Sequence, residues 1–246
     1  MFFRMMKGTF VRQWKKMLMI AITIALGASI ATAMLNVMLD VGDKINEELK
    51  TYGANITVES QTASVLGNLY ELDDEEVNEK MYLKEDTLGE LLTIFWANNI
   101  RDFAPFTDLN GTVNGNNVHV VGSWFNHHLE YLKKGTVYER YTGLINLRSW
   151  WTIKSGAWMD EQKETDDKVA MVGQALAARL GISVGDEILV EGKGNNQETL
   201  KVVGIYESGD EEDDYLYTTF SVAQVLSNTI GLVKTISVSA IPQIII

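Results

Sequence analysis

The segment KVAMVGQALAARLGISVGDEILVEGKGNNQETLKVVGIYE, residues 168–207, decides the fold class. Lys168–Val172 reads as a strand, and Gln174–Leu180 as a short helix built from Ala and Leu, both strong helix formers. Gly181 stands where a left-handed C′ residue ends such a helix. Ser183–Asp186 then turns the chain into the strand Glu187–Glu191. Gly192–Asn196 is a hairpin tip, and Thr199–Tyr206 returns as a strand. The acidic loop Asp210–Asp214 follows, then a strand at Tyr215–Thr218, a helix near Val222–Leu226 and a last strand at Val233–Ala240. Strands with few helices and no strict alternation of the two predict an α+β domain.

Upstream the same grammar holds, with less clarity. Asn114-Gly115 is a strong hairpin turn between the strands Phe103–Val113 and Asn117–Val121. Thr87 and Glu90 form a capping-box pattern, and Leu88, Leu91, Leu92, Phe95 and Trp96 recur at the intervals of a core-facing helix, which puts Trp96 in the core. Residues 123–166 are aromatic-rich and read as irregular. Trp124, Trp150, Trp151 and Trp158 make either a small second core or an exposed contact surface. Asn55–Val58 reads as a strand. Residues 60–85 are polar and include the run Asp73–Glu76, a solvated face; the Asp210–Asp214 loop takes the same reading. The expected domain therefore has two lobes, a variable one spanning about 60–165 and a more regular remainder.

The N-terminus is of another kind. Met17–Leu39 holds no charged residue, and as a helix it measures about 34 Å, enough to cross a hydrocarbon core of about 30 Å. Lys15 and Lys16 bound it on one side; Asp40, Asp43, Glu47 and Glu48 bound it on the other. The basic flank places residues 1–16 in the cytoplasm and residues 40–246 outside it. Ala31-Thr32-Ala33 resembles a signal-peptidase site, but the apolar stretch runs on past it and exceeds the length of a signal h-region, so an anchor is expected. Phe3, Met6, Phe10 and Trp14 share a helical face among basic residues, the pattern of a short interfacial helix. Ala21, Ala25, Ser29 and Ala33 lie four apart on the spanning helix, a face that lets another helix approach closely. The helix is expected to run on to Glu48 or Lys50 as a stalk, with Gly53 ending it.

Charge excludes some classes of function. Residues 1–39 hold five of the 21 basic residues and none of the 33 acidic ones. The outer part thus sets 33 acidic residues against 16 basic ones, a balance that repels nucleic acid. The chain has no cysteine, which removes disulfides, thiolate metal sites and a cysteine nucleophile. There is no phosphate-binding P-loop and no Gly-x-Ser-x-Gly nucleophile elbow. His119, His127 and His128 are the only histidines. On a helix His127 and Glu130 would share a face, but a pair is too few for a metal site. No catalytic residue and no cofactor is expected.

Against this background several runs carry a family resemblance. Val172-Gly173, Ala175–Gly181 and Val184-Gly185-Asp186, then Val202–Gly209, the acidic loop and Ser221–Gln224, occur in the order found in MacB/FtsX-like ABC transporter permeases. Val118–Gly122 also resembles that family's mid-domain strand. The resemblance is specific over 168–225, general over 1–60 and 100–125, and poor over 60–100 and 125–160. It implies a permease subunit without ATPase motifs, working with a separate ABC ATPase and a second permease protomer in the lipid bilayer of the plasma (inner) membrane, for export or envelope work. It also implies three further membrane helices after the outer domain, so residues 1–246 are expected to be the N-terminal part of such a permease. Two other classes remain from the residues alone: a membrane-anchored binding or adaptor module for a metal or an envelope partner, and a tethered hydrolase using one of the three histidines.

Overall fold

The computed structural model describes residues 13–51, 54–61, 81–160 and 168–241. They fall into two units, one ending at Lys50 and one beginning at Thr51.

The described part of the first unit is made by helix α1, Trp14–Thr51, whose last residue begins the second unit. Its stretch Trp14–Met38 is long and apolar enough to cross a membrane. The two threonines within it satisfy their own hydroxyls: Thr23 Oγ1 donates to the Met19 carbonyl at 2.9 Å and Thr32 Oγ1 to the Ala28 carbonyl at 2.8 Å. No water is needed for either bond, as a hydrocarbon environment requires. The amphipathic pattern from Phe3 to Phe10, the stop at Gly53 and the acidic run Asp73–Glu76 lie outside the described residues.

Among the described residues the second unit contains thirteen strands. In chain order they are β1 (Ile56–Glu59), β2 (Leu83–Lys84), β3 (Ile100–Val113), β4 (Asn116–Ser123), β5 (His127–Lys133), β6 (Thr136–Thr142), β7 (Thr152–Gly156), β8 (Val169–Gly173), β9 (Glu187–Glu191), β10 (Gln197–Glu207), β11 (Tyr215–Thr219), β12 (Leu232–Val233) and β13 (Thr235–Ala240). Among the described residues three short α-helices, α2 (Leu144–Leu147), α3 (Gln174–Leu180) and α4 (Phe220–Ser227), and several 3-10 turns join them. This is the α+β class expected from the pattern.

Nine strands form one sheet in the order β1-β13-β3-β4-β11-β8-β10-β7, and β9 bonds to both β10 and β3. That double pairing closes β3, β4, β11, β8, β10 and β9 into a small barrel. The β4–β11 and β8–β10 pairs are parallel, and the other four are antiparallel. The closure follows from alternation. Leu109 and Val113 on β3, Val118 and Val120 on β4, Ala170 and Val172 on β8, Ile188 and Val190 on β9, and Leu200 and Val202 on β10 are buried at every second position and meet inside. Leu176, Val222 and Leu226 from α3 and α4 join this core. Closure also needs Gly111, where a Cβ would stand 2.6 Å from the Glu191 carbonyl oxygen, so only glycine lets β9 reach β3.

Strand β3 is long enough to serve two neighbours, pairing with β13 over Ile100–Phe106 and with β4 over Phe106–Val113. Pro105 sits in it without breaking the ladder. The Ser123 hydroxyl donates to the Pro105 carbonyl at 2.9 Å, so the backbone of this residue faces away from β13, and its missing N–H costs no strand-to-strand bond. The turn after β3 has Asn114 at φ 51° and Gly115 at φ 78°, the left-handed pair that the Asn-Gly sequence predicts. Helix α3 ends at Gly181 with φ 68°.

Two cores lie outside the barrel. One packs Leu88, Leu92, Phe103, Trp124, Phe220 and Val238 together. The other gathers Phe125, Leu144, Trp151, Met159, Met171, Tyr206 and Tyr217. Trp124 and Trp151 are buried and Trp150 and Trp158 half-buried, so these four pack into cores, while Leu132, Val137, Tyr138 and Tyr141 of the same region are exposed. Trp151 stacks on Tyr206 with ring centroids 4.1 Å apart, and Trp158 stacks on Trp151 at 5.8 Å.

Three expectations are corrected here. Residues 127–133 are a strand of the β5–β6 hairpin, so His127 and Glu130 do not share a helix face. The stretch from Thr87 is a 3-10 helix, Glu85–Leu92, and Thr87 Oγ1 donates back to the Lys84 carbonyl at 2.7 Å instead of capping. That helix stops before Phe95 and Trp96, which are 88% and 49% exposed; Trp96 is not a core residue.

Candidate functional site

The acidic loop is expected to be solvated; Asp210, Glu211 and Asp214 are indeed exposed, but four of its carboxylates also carry specific bonds. Asp210 accepts from the Glu212 N–H at 3.0 Å, and Asp213 accepts from the Ser208 N–H at 2.6 Å. Asp214 takes two nitrogens of Arg179, at 2.8 and 3.1 Å. Glu212 is the hub. Its Oε1 accepts from Arg148 Nη2 at 2.9 Å and from the Tyr217 hydroxyl at 3.0 Å, and its carbonyl accepts from the Tyr206 hydroxyl at 2.6 Å. Burial pushes the Tyr206 phenol well above its ordinary pKa, and the charges it faces at Tyr217 and Glu212 add to this. Tyr217 is raised by burial first and then by Glu212, with Arg148 pulling the other way. Both phenols therefore stay protonated and act as donors. The loop fastens the aromatic layer to the barrel and offers no open cage of carboxylates.

A second polar web lies at the start of β3. The buried Asp102 accepts from the Phe103 N–H at 2.9 Å, the Gly143 N–H at 2.8 Å and Asn146 Nδ2 at 2.6 Å, and the Thr142 hydroxyl lies 2.5 Å away. One carboxylate thus holds the end of β6 and the start of α2 against β3. Arg140 adds bonds to the Ile100 and Arg101 carbonyls.

The histidines do not converge. His119 on β4 lies 3.1 Å from Asn110 Oδ1 and 3.8 Å from Asp108, with its ring against Tyr215. His127 stacks on Trp124, and His128 reaches Glu139 at 3.4 Å. Among the described residues no group of three or more histidines, aspartates and glutamates is placed to hold a metal ion.

Two surfaces remain that are not used by the fold. Ala21, Ala25, Ser29 and Ala33 are exposed on α1, so the small-residue face is uncovered. On the domain that follows α1 a groove of about 530 Å³ runs beside β1 and β13, lined by Ile56, Val58, Leu91, Trp96, Val238 and Ala240 among others. Ile94 and Phe95 stand exposed nearby. Periodicity missed this surface because it assigned Phe95 and Trp96 to a buried helix face. The available signal was a different one: residues 91–100 contain no charge, in a domain rich in acid.

The family model of the MacB-like periplasmic core domain matches residues 17–244. Among solved structures, the chain is similar to the periplasmic region of MacB from Actinobacillus actinomycetemcomitans, with 12% identity, a TM-score of 0.44 and coverage of 64% of each chain. It is also similar to the extracellular domain of the noncanonic ABC-type transporter YknZ from Gram-positive bacteria, with 12% identity, a TM-score of 0.45, and coverage of 75% of this chain and 83% of that one. No curated protein sequence matches significantly.

Proposed function

Because the chain belongs to the family of MacB-like periplasmic core domains, which is a family of MacB/FtsX-like ABC transporter permeases, we propose that it is the N-terminal part of a permease protomer driven by a separate ABC ATPase. The observation that carries this reading is the continuous match over residues 17–244, which takes in both the apolar helix and the barrel domain. Residues 1–16 lie on the cytoplasmic side, residues 17–39 cross the plasma (inner) membrane, and residues 40–246 are extracytoplasmic, with the variable lobe at about 60–165. The basic residues before the span and the acidic ones after it support this orientation.

In this reading ATP hydrolysis in the cytoplasm moves the outer domain, for export or for work on the envelope. A barrel closed through the β9–β3 pair suits a moved part, because its strands are bonded into one ring around a shared core. The protomer catalyses nothing itself and holds no cofactor. Its partners are the ATPase, the lipid bilayer and a second protomer, against which Ala21, Ala25, Ser29 and Ala33 form a close-packing helix face.

The test is cross-linking in native membranes with the chromosomal gene product tagged, followed by identification of the captured proteins. The expected result is an ABC ATPase carrying a P-loop, whose ATP turnover in the purified assembly changes when Ala25→Leu or Ser29→Leu bulks the packing face. Capture without any nucleotide-binding partner overturns the reading.

A further inference from the structure

The end of β13 is held from both sides by asparagine side chains. On the β1 side the Asn55 N–H donates to the Val238 carbonyl at 3.0 Å, and Asn55 Nδ2 donates to the Ala240 carbonyl at 2.7 Å. The Ala240 N–H donates back to Asn55 Oδ1 at 3.0 Å. The Asn55 amide thus adds one rung to the antiparallel ladder, just before β1 itself begins at Ile56. On the β3 side the Ile241 N–H donates to the Asn99 carbonyl at 2.9 Å, and Asn99 Nδ2 donates to the Ile241 carbonyl at 3.0 Å. This pair carries the β13–β3 contact on past the register shift between Ser239 and Ala240. We propose that Asn55 and Asn99 form a clasp at the point where the chain enters and leaves the domain, and that the clasp makes both connections move with the sheet as one body. The inference rests on the reading of the domain as a part moved through its connections, and adds the place where that movement enters the sheet.

The geometry gives a few bonds an outsized mechanical role. Helix α1 ends at Thr51, and the chain meets β1 at Asn55; at the other connection it runs on from Ile241. Ile56 pairs with Val238, so the two connections stand at neighbouring ends of antiparallel strands. A pull that separates such ends opens the ladder one rung at a time, and the first rung carries the whole load. That rung is the Asn55–Ala240 pair. Asn99 ties the next residue, Ile241, to the start of β3, so a load arriving there is shared between two neighbours. The apolar groove supplies the setting. Asn55 and Asn99 are the two side-chain amides in its lining, among Ile56, Leu91, Ile94 and Ile100. Hydrogen bonds are stronger where apolar side chains lower the local dielectric, and the stretch 91–100 holds no charged residue to compete for the amides.

The absence of native cysteine lets handles be placed at will. The full chain in lipid nanodiscs, carrying Thr51→Cys and Gln243→Cys, is held between two beads under reducing conditions and loaded across the clasp. At a fixed load Asn55→Ala should raise the opening rate about tenfold, since it removes a reciprocal pair of hydrogen bonds. Asn55→Asp keeps the acceptor for the Ala240 N–H and loses the donor, so its rate should fall between the two. Asn99→Ala should also speed opening. A second pair of handles, Asn117→Cys with Glu211→Cys, loads the barrel at the other end of β3, where Asn117 pairs with Thr112. On that axis none of the three variants should change the rate. Equal acceleration on both axes would show a general loss of stability and overturn the clasp, as would no acceleration on the first. The measurement needs no ATPase, so a failed clasp leaves the permease reading standing, and failure to capture an ATPase leaves the clasp result as it is.

Discussion

The barrel and the layer that covers it are held in different ways. Inside the barrel the contacts are aliphatic and repeat at every second residue, from Leu109 on β3 to Val202 on β10. In the covering layer the contacts are few, large and individually directed: the Trp158–Trp151–Tyr206 stack, the Glu212 hub and the Asp102 web. A periodic aliphatic core spreads its stability over many similar side chains. A layer of aromatic rings and buried carboxylates concentrates it in a few, and the loss of one leaves its partners exposed or unpaired. Substitutions in the two regions should therefore differ in kind as well as in size.

The largest effect is expected inside the barrel. Leu200→Ala removes a fully buried side chain from a closed core and should cost about 2–5 kcal/mol in chemical denaturation of the solubilised protein. A cost near zero would mean that the barrel is not closed around this residue. Asp102→Ala should come next, at about 1–3 kcal/mol, because it strands the Gly143 N–H and Asn146 donors. Hydrogen exchange should show that the loss is local to β6 and α2, and exchange spread evenly over the barrel would blur the contrast between the two regions.

The tyrosines give a pH signature to the covering layer alone. The folded-state pKa values of Tyr206 and Tyr217 lie above that of a free phenol, so their contribution is complete below about pH 10 and is lost as pH rises past that value. Near-ultraviolet circular dichroism should follow loss of the aromatic stack in alkali before far-ultraviolet signal from the barrel falls, and Tyr217→Phe should move the first transition. Simultaneous loss of both signals would show the two regions to be one cooperative unit. The smallest effect belongs to the rim of the acidic loop. Arg179→Ala breaks an exposed ion pair with Asp214 and should cost less than about 1 kcal/mol by thermal melting.

The same contrast explains what could be read in the sequence. Residues 168–227 were legible because each element carries its own local signal: the alternating Ile188 and Val190, the Ala-rich α3 and the left-handed Gly181. The barrel's closure was not legible, since it depends on Gly111 admitting Glu191, residues far apart in the chain. The covering layer misled in two places. The recurrence of Leu88, Leu92, Phe95 and Trp96 holds only while the helix lasts, and a 3-10 helix ending at Leu92 leaves the last two outside. The β5–β6 hairpin turns at Lys134 and Gly135, with φ of 51° and 80°, before a strand rich in Tyr, Val and Thr. That Gly was the available signal, hidden by the charges on both strands. The candidate surface on α1 was legible as a stripe of small residues. The one around Phe95 was not, because an exposed aromatic follows no period.

The central claim is that one apolar helix holds an outer barrel domain on the far side of the membrane from the N-terminus. The most direct measurement is labelling of single cysteines in intact cells with a membrane-impermeant maleimide. Asn117→Cys, exposed on β4, should label without permeabilisation, and Lys7→Cys should label only after it. The reverse pattern, or recovery of the chain in the soluble fraction after cleavage near Ala33, would contradict the account.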